Sequence, residues 1–217
     1  MLTLAVDTTA EFGSIALADT EGVREEVLLH SPEGFSGVLF AQIEALLGRQ
    51  GVALREVELF VGASGPGSFT GVRVGLAAVK GMGEVLGRPV VAVSNLAALA
   101  CFGEAELRAT VIDARRGEVF AALYDGAGMA VIPEQVVRFP RFLELLAGYR
   151  FEWVSAGFEP FVTALAGTGL EGYPVRVAPR ALAGTMAGMA MRGRLTGAAA
   201  IEANYVRRSD AELLGVL

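Results

Sequence analysis

The chain has 217 residues, 53% hydrophobic and 19% charged, with a mean hydropathy of +0.50, which excludes a disordered chain and provides for a substantial buried core. Eighteen Lys and Arg against 24 Asp and Glu leave a net charge of −6, which argues against unaided binding to nucleic acid or an anionic membrane. One cysteine and one histidine exclude an internal disulfide, a multi-cysteine zinc site and any site that needs two histidines.

Leu2–Thr8 is apolar and β-branched, and its start lacks the basic region of a secretory signal. Thr9–Phe12 punctuates, Gly13–Ala18 resumes, and Glu21-Gly22 turns the chain into Val23–Leu29. This pattern predicts a three-strand antiparallel meander. Glu33–Gly48 carries Phe35, Leu39, Ile43 and Leu46 at helical spacing. Val38, Phe40, Ala41, Ala45 and Leu47 widen that stripe beyond one core contact, so the surplus faces either the helix's own domain or a second surface. Val57–Gly62 predicts a strand, 70–86 a helix ended by Gly87-Arg88-Pro89, and Val90–Val93 the next strand, an α/β order with right-handed crossovers. Gly71 and Gly75 share one helix face at a helix-propensity cost of roughly 1 kcal/mol each, which implies close approach by another element. Cys101 follows the apolar run Leu96–Ala100 and reads as a buried thiol. The longest charge-free stretch, Pro89–Gly103, is too short to cross a bilayer, and the expected location is the cytoplasm.

The pattern then restarts. Arg108–Asp113 and Glu118–Tyr124 read as paired strands around Arg115-Arg116-Gly117, Phe139–Ala147 and Phe158–Ala166 as helices, and Glu152–Ala156 as a strand. Leu182–Met191 reads as a small-residue helix whose methionines fill core. Two halves with the same order of elements predict two related lobes, divided at about 103/104 into 1–103 and 104–217, with the carboxy-terminal segment available to pack back on the first.

Three loops could carry chemistry. Asp7 ends the first strand ahead of a hairpin, where a carboxylate orients a hydroxyl beside a phosphate or simply accepts turn amides. Gly65-Pro66-Gly67-Ser68-Phe69-Thr70-Gly71 joins strand to helix and allows close backbone approach, with Ser68 or Thr70 as caps. It lacks the Gly-Lys of a Walker loop, the third glycine of a dinucleotide fingerprint and the flanking glycines of a hydrolase elbow. Asp113-Ala114-Arg115-Arg116-Gly117-Glu118 is a charged hairpin, either a solvated turn or a partner-recognition surface.

Leu4-Ala5-Val6-Asp7-Thr8-Thr9, Gly65-Pro66-Gly67-Ser68-Phe69-Thr70-Gly71-Val72-Arg73, Val93-Ser94-Asn95-Leu96-Ala97-Ala98-Leu99 and Ile112-Asp113-Ala114-Arg115-Arg116-Gly117-Glu118-Val119 resemble, in order, the TsaB (YeaZ) family. Asn204-Tyr205-Val206-Arg207 is similar to a late family element, with Ala203 where proline is usual. The resemblance implies an α/β, actin/hexokinase-like (ASKHA) fold of two related lobes, each a mixed sheet flanked by helices. It implies a non-catalytic subunit of the bacterial tRNA threonylcarbamoyladenosine machinery. Its partners would be TsaD, which transfers the threonylcarbamoyl group from its adenylate to N6 of the adenosine beside the anticodon, TsaE in a larger complex, and itself as a homodimer. Contact with tRNA would come only through the complex. TsaD holds its metal through a His pair that falls here on Phe35 and Leu39, neither of which ligates, so no metal site is expected.

By the same resemblance Phe35, Val38, Leu39 and Gln42 of the first helix, and Val72, Gly75, Leu76 and Val79 of the second, are the expected interface. Asp7, Gly13, Gly65 and Gly67 are expected around a vestigial nucleotide crevice. No tightly bound cofactor is expected, and a nucleotide at the partner interface is left open. The alternatives are a nucleotide-dependent enzyme of the sugar-kinase type, resting on Asp7 and the glycine loop, and, more weakly, a metallopeptidase.

Overall fold

The computed structural model describes residues 1–193, so Asn204-Tyr205-Val206-Arg207 lies outside the described residues. The chain divides into two units: 1–98 together with 180–193, and 99–179. The division at 98/99 falls five residues before the one expected from sequence.

In the first unit, β1 (Thr3–Asp7), β2 (Phe12–Asp19) and β3 (Gly22–His30) form the antiparallel meander. β4 (Leu59–Gly65) and β5 (Val90–Ser94) extend it in parallel, giving the order β3-β2-β1-β4-β5. Alternation along the strands assigns the two faces. Leu4, Val6, Ile15, Leu17 and Phe60 pack with α1 (Leu39–Arg49) and α2 (Phe69–Leu86) through Leu39, Ile43, Leu46, Val79 and Met82. The opposite face carries the smaller, fully buried Ala5, Ala16 and Ala18. α6 (Ala183–Met191) packs across β1, β2 and β3. Ser14 Oγ accepts from the Leu182 and Ala183 amides at 3.0 and 2.9 Å, and Glu26 from the Gly184 amide at 2.8 Å. The sheet thus caps a helix whose own N-cap, Leu182, has no side chain able to do so. Met186 and Met189 are buried, as their spacing predicts.

The first helix is shorter than its periodicity suggests. Gly34 is left-handed (φ 93°) and closes a turn with Ser31, so helical bonding begins only with the Leu39 amide on the Phe35 carbonyl at 2.9 Å.

The second unit repeats the plan. β6 (Leu107–Arg115), β7 (Glu118–Asp125) and β8 (Ala130–Arg138) form a second antiparallel meander, and β9 (Glu152–Ser155) and β10 (Val175–Val177) extend it in parallel, in the order β10-β9-β6-β7-β8. Each sheet therefore follows the same third-second-first-fourth-fifth order, and the expected two related lobes of an actin/hexokinase-like fold are found. α4 (Phe139–Leu145) and α5 (Glu159–Leu165) bury Phe139, Phe142, Phe161 and Leu165 around Trp153. α3 (Asn95–Ala100) runs across the 98/99 division. Sequence reading missed β8, β10 and α3. β8 breaks strand alternation with Pro133, tolerated because β8 is an edge strand, while β10 and α3 are too short to show a period.

Cys101 corrects an expectation: it is exposed rather than buried, because α3 ends at Ala100 and the chain turns there. At the start of the second unit, buried Glu152 accepts from the amides of Glu104 and Ala105. Arg108 donates to the Ala100 and Ala105 carbonyls, holding that turn together. Among the described residues, no helix is long and apolar enough to cross a membrane.

Candidate functional site

Asp7 ends β1 inside the first unit, where it is 3% exposed. Its Oδ1 accepts from the Thr9 amide at 2.9 Å and the Thr9 hydroxyl at 2.7 Å, and its Oδ2 from Asn95 Nδ2 at 3.1 Å. Asn95 Nδ2 also donates to Thr9 Oγ1 at 2.8 Å. Burial raises the Asp7 pKa above its ordinary value of 3.8, and the bonds from Thr9 and Asn95 oppose that rise.

The glycine loop closes on the same turn. The Ser68 amide donates to the Thr9 carbonyl at 2.6 Å, and the Thr8 hydroxyl to the Gly71 carbonyl at 2.7 Å. A Cβ on Gly67 would lie 2.4 Å from the Thr9 carbonyl oxygen, one on Gly71 2.1 Å from that of Thr8, and one on Gly75 2.5 Å from Thr8 Oγ1. The close approach expected on that helix face is therefore made by the β1–β2 turn. Gly13 meets the Asp7 carbonyl in the same way, at 2.4 Å, with the Phe35 ring behind it at 2.9 Å. Gly65 supplies a left-handed φ of 94° ahead of Pro66. Ser68 caps α2 through Gly71 N at 3.3 Å.

Asp7, Gly13, Gly65 and Gly67 are thus brought together around Thr8-Thr9. A nucleotide phosphate needs open amides and an uncommitted carboxylate. Here Gly13 and Gly67 stand against the chain's own carbonyl oxygens, and both Asp7 oxygens accept hydrogen bonds from within the chain. Their arrangement instead fixes where α2 begins. Asn95, absent from the expected site residues, completes the cluster; a lone amide within the apolar stretch 90–100 was the available signal.

Of the eight expected interface residues, Phe35, Leu39, Val72, Gly75, Leu76 and Val79 are buried in the chain's own core. This corrects the choice of helix face: these six positions turn toward the chain's own sheet. Val38 (41% exposed) and the half-buried Gln42 lie at the surface. So do Phe40, at 59%, and on α2 Phe69, Ala77, Gly81 and Val85, the last at 84%. The Arg73 guanidinium lies 3.7 Å over the Phe69 ring. Large apolar side chains on both helices therefore face outward.

The charged hairpin in the second unit places Arg115 (φ 67°), Arg116 (φ 55°) and Gly117 (φ 76°) all in the left-handed region. Arg116-Gly117 meets the requirement of a two-residue primed turn, and the strand register slips by one residue between Asp113 and Arg115, a bulge. Each arginine there carries a backbone cost of roughly 1–2 kcal/mol. Asp113 steadies the bulge by accepting from the Arg115 amide at 2.8 Å and its guanidinium at 3.3 Å. His30 ends β3, stacked on Phe12 with centroids 4.4 Å apart and bonded to Glu11 at 2.7 Å. Among the described residues, no three His, Cys, Asp or Glu side chains are grouped to hold a metal ion.

The pH dependence of Asp7 has a definite sign. A carboxyl whose pKa is raised on folding binds its proton more tightly in the folded chain. Its contribution is complete below 3.8 and is lost as pH rises through the folded value. Asp7→Asn is therefore expected to lose little or no stability at pH 7, and its advantage over the parent should shrink as pH falls. Paired urea titrations from pH 7 downward read this, and an advantage that grows on acidification overturns it. Taking the difference cancels the exposed Asp19, Glu25, Glu58 and Glu171, whose hydrogen bonds hold them below their ordinary values.

With this geometry in hand, comparison with known proteins is informative. The family model described as TsaD, tRNA N6-adenosine threonylcarbamoyltransferase, matches residues 33–163. The chain is 34% identical to the tRNA threonylcarbamoyladenosine biosynthesis protein TsaB of Bacillus subtilis, over 67% of this chain and 66% of that one. It is 31% identical to the Escherichia coli TsaB over 72% of this chain and 71% of that one. The matched stretch thus spans about two thirds of these relatives. Among solved structures, YeaZ from Pseudomonas aeruginosa is similar with a TM-score of 0.73 and 28% identity, over 94% of this chain and 99% of that one.

Proposed function

The chain belongs to the TsaB (YeaZ) family of tRNA threonylcarbamoyladenosine biosynthesis proteins, and from that premise we propose that it is a non-catalytic assembly subunit for a TsaD-type threonylcarbamoyltransferase. The observation that carries this reading is the exposure of large apolar side chains on both helices, Val38 at the N-cap of α1 and Phe40 in its first turn, and Phe69 and Val85 at the two ends of α2. Such side chains in an otherwise acidic chain fit a protein partner better than a small ligand. The commitment of Asp7 and the glycine loop to internal packing supports the same reading and disfavours a sugar-kinase-type reaction within this unit. These exposed side chains serve TsaD, and in its absence a second copy of the chain. TsaE joins a larger cytoplasmic complex, tRNA is engaged through that complex, and no cofactor is held by the isolated chain.

Light scattering with size-exclusion chromatography, on the chain alone and mixed with TsaD from the same genome, tests this. A mixed species replacing a homodimer is expected. Phe40→Glu should weaken it by about 30-fold, or about 2 kcal/mol, while changing the unfolding free energy by less than about 0.5 kcal/mol. A chain that ignores TsaD, or that modifies tRNA unaided, overturns the proposal.

A further inference from the structure

Asn95 is 3% exposed, and its Oδ1 has no hydrogen-bond partner although its Nδ2 has two. An unmatched buried acceptor is costly, so the orientation of this amide needs a cause. Turning the amide over would bring Oδ1 to the positions Nδ2 now occupies, 3.1 Å from Asp7 Oδ2 and 2.8 Å from Thr9 Oγ1. Against an ionised Asp7, that sets two acceptors face to face, so the observed orientation belongs to the carboxylate. Against a neutral Asp7, the same turn is favourable. The acid O–H on Oδ2 then donates to Asn95 Oδ1, while Asp7 Oδ1 keeps the Thr9 amide. One side of the Asn95 amide stays unmatched in either arrangement, an acceptor in the first and a donor in the second. In the second arrangement the Thr9 hydroxyl swings from Asp7 Oδ1 to the turned Asn95 Oδ1, so there is one hydrogen bond fewer. What the turn relieves is the neutral acid's O–H facing Nδ2, donor against donor, and the charge on Asp7 decides between the two.

We propose that Asn95 is a two-position amide whose orientation follows the ionisation of Asp7, so that the group it turns away from Asp7 changes from acceptor to donor when Asp7 takes up a proton. The groups that act on Asp7 are the Thr9 hydroxyl and amide on its own turn, Asn95 at the start of α3 and the negative charge of Glu26 on β3. Glu26 and burial both favour the neutral acid, which moves the change upward from the ordinary carboxylate range. The Thr9 carbonyl holds Ser68 at the start of α2, and Asn95 opens α3, so the proton sits where two helices begin.

The test is side-chain NMR of the full chain labelled with 15N and 13C. The two Asn95 amide protons are expected to shift with pH at the same midpoint as the Asp7 carboxyl carbon. In Asp7→Asn, the new Nδ2 faces Asn95 and requires its Oδ1, so at pH 7 the Asn95 signals of the variant should match those of the protonated parent. The proposal is overturned if the Asp7 carbon titrates while the Asn95 amide stays fixed. It is equally overturned if the Asn95 signals of Asp7→Asn coincide with the parent's at pH 7. Should acid unfold the parent first, the variant decides; should the variant not fold, the parent titration does.

Discussion

Gly71→Ala is expected to destabilise the first unit by about 3 kcal/mol, against the direction that helix propensity alone predicts. Alanine for glycine inside a helix is normally worth roughly 1 kcal/mol in favour of the variant. At position 71, however, the new methyl would stand 2.1 Å from the Thr8 carbonyl oxygen and 3.1 Å from its carbon. Both are backbone atoms pinned by the β1–β2 turn, so relief requires moving α2 off that turn, and overpacking of this kind typically costs 1–3 kcal/mol. Two neighbours in the same helix calibrate the effect. At Gly75 the nearest atom is the Thr8 hydroxyl oxygen, 2.5 Å away, a side-chain atom that can turn aside by giving up its bond to the Gly71 carbonyl, so Gly75→Ala should cost less than Gly71→Ala. At Gly81 nothing lies within 4 Å, and Gly81→Ala should stabilise by up to about 1 kcal/mol. Urea unfolding followed by far-ultraviolet circular dichroism orders the three variants, and equal effects at 71 and 81 would show that the close approach to Thr8 is not what the glycines serve.

Trp153→Ala is expected to cost the second unit about 3–5 kcal/mol. This sole tryptophan is fully buried, with Phe151 edge-on at 5.0 Å and Phe158, Phe139 and Phe142 at 5.7, 6.0 and 6.3 Å. Its Nε1–H finds no acceptor there, so the ring is held by packing and aromatic geometry rather than by a hydrogen bond. Trp153→Phe, which removes the unmatched donor but leaves a smaller void, should therefore cost much less than alanine. In the parent, Trp153 emission reports the second unit alone. Gly71→Ala and Trp153→Ala thus address the two units separately. A Trp153→Ala chain that unfolds at the parent's urea concentration would remove the ring from the core's support.

The sequence made the architecture legible wherever side chains alternate or recur over enough residues. The first meander, the β6–β7 pair, α2 and α6 could be read from their patterns, and so could the repetition of one plan in two halves. Short elements escaped for want of a period, and β8 because Pro133 interrupts it. The site was legible as motifs rather than as roles. Asp7 and the loop glycines stood out, but what they touch depends on residues far apart along the chain, such as Asn95 against Asp7 and Gly71 against Thr8. Helix faces were ambiguous for a different reason. Phe35 and Leu39 satisfy the apolar stripe of α1 as well as Phe40 does, and only the position of the sheet assigns the first two to the core and the third to the surface.

The first sheet is completed by α6, which arrives from residues 183–191 after the whole of 99–179 has intervened. A ribosome releases the chain in that order, so residues 99–179, which hold the aromatic core of the second unit, are made while the first still lacks the helix that covers Ala5, Ala16 and Ala18. The amide caps from Ser14 and Glu26 then form only once α6 has been made. Stalled nascent chains that end before residue 180 should expose that small-residue face to protease, and chains extended past α6 should not. Maturation of this protein is in that sense gated by the emergence of α6, well after the amino-terminal strands have been made.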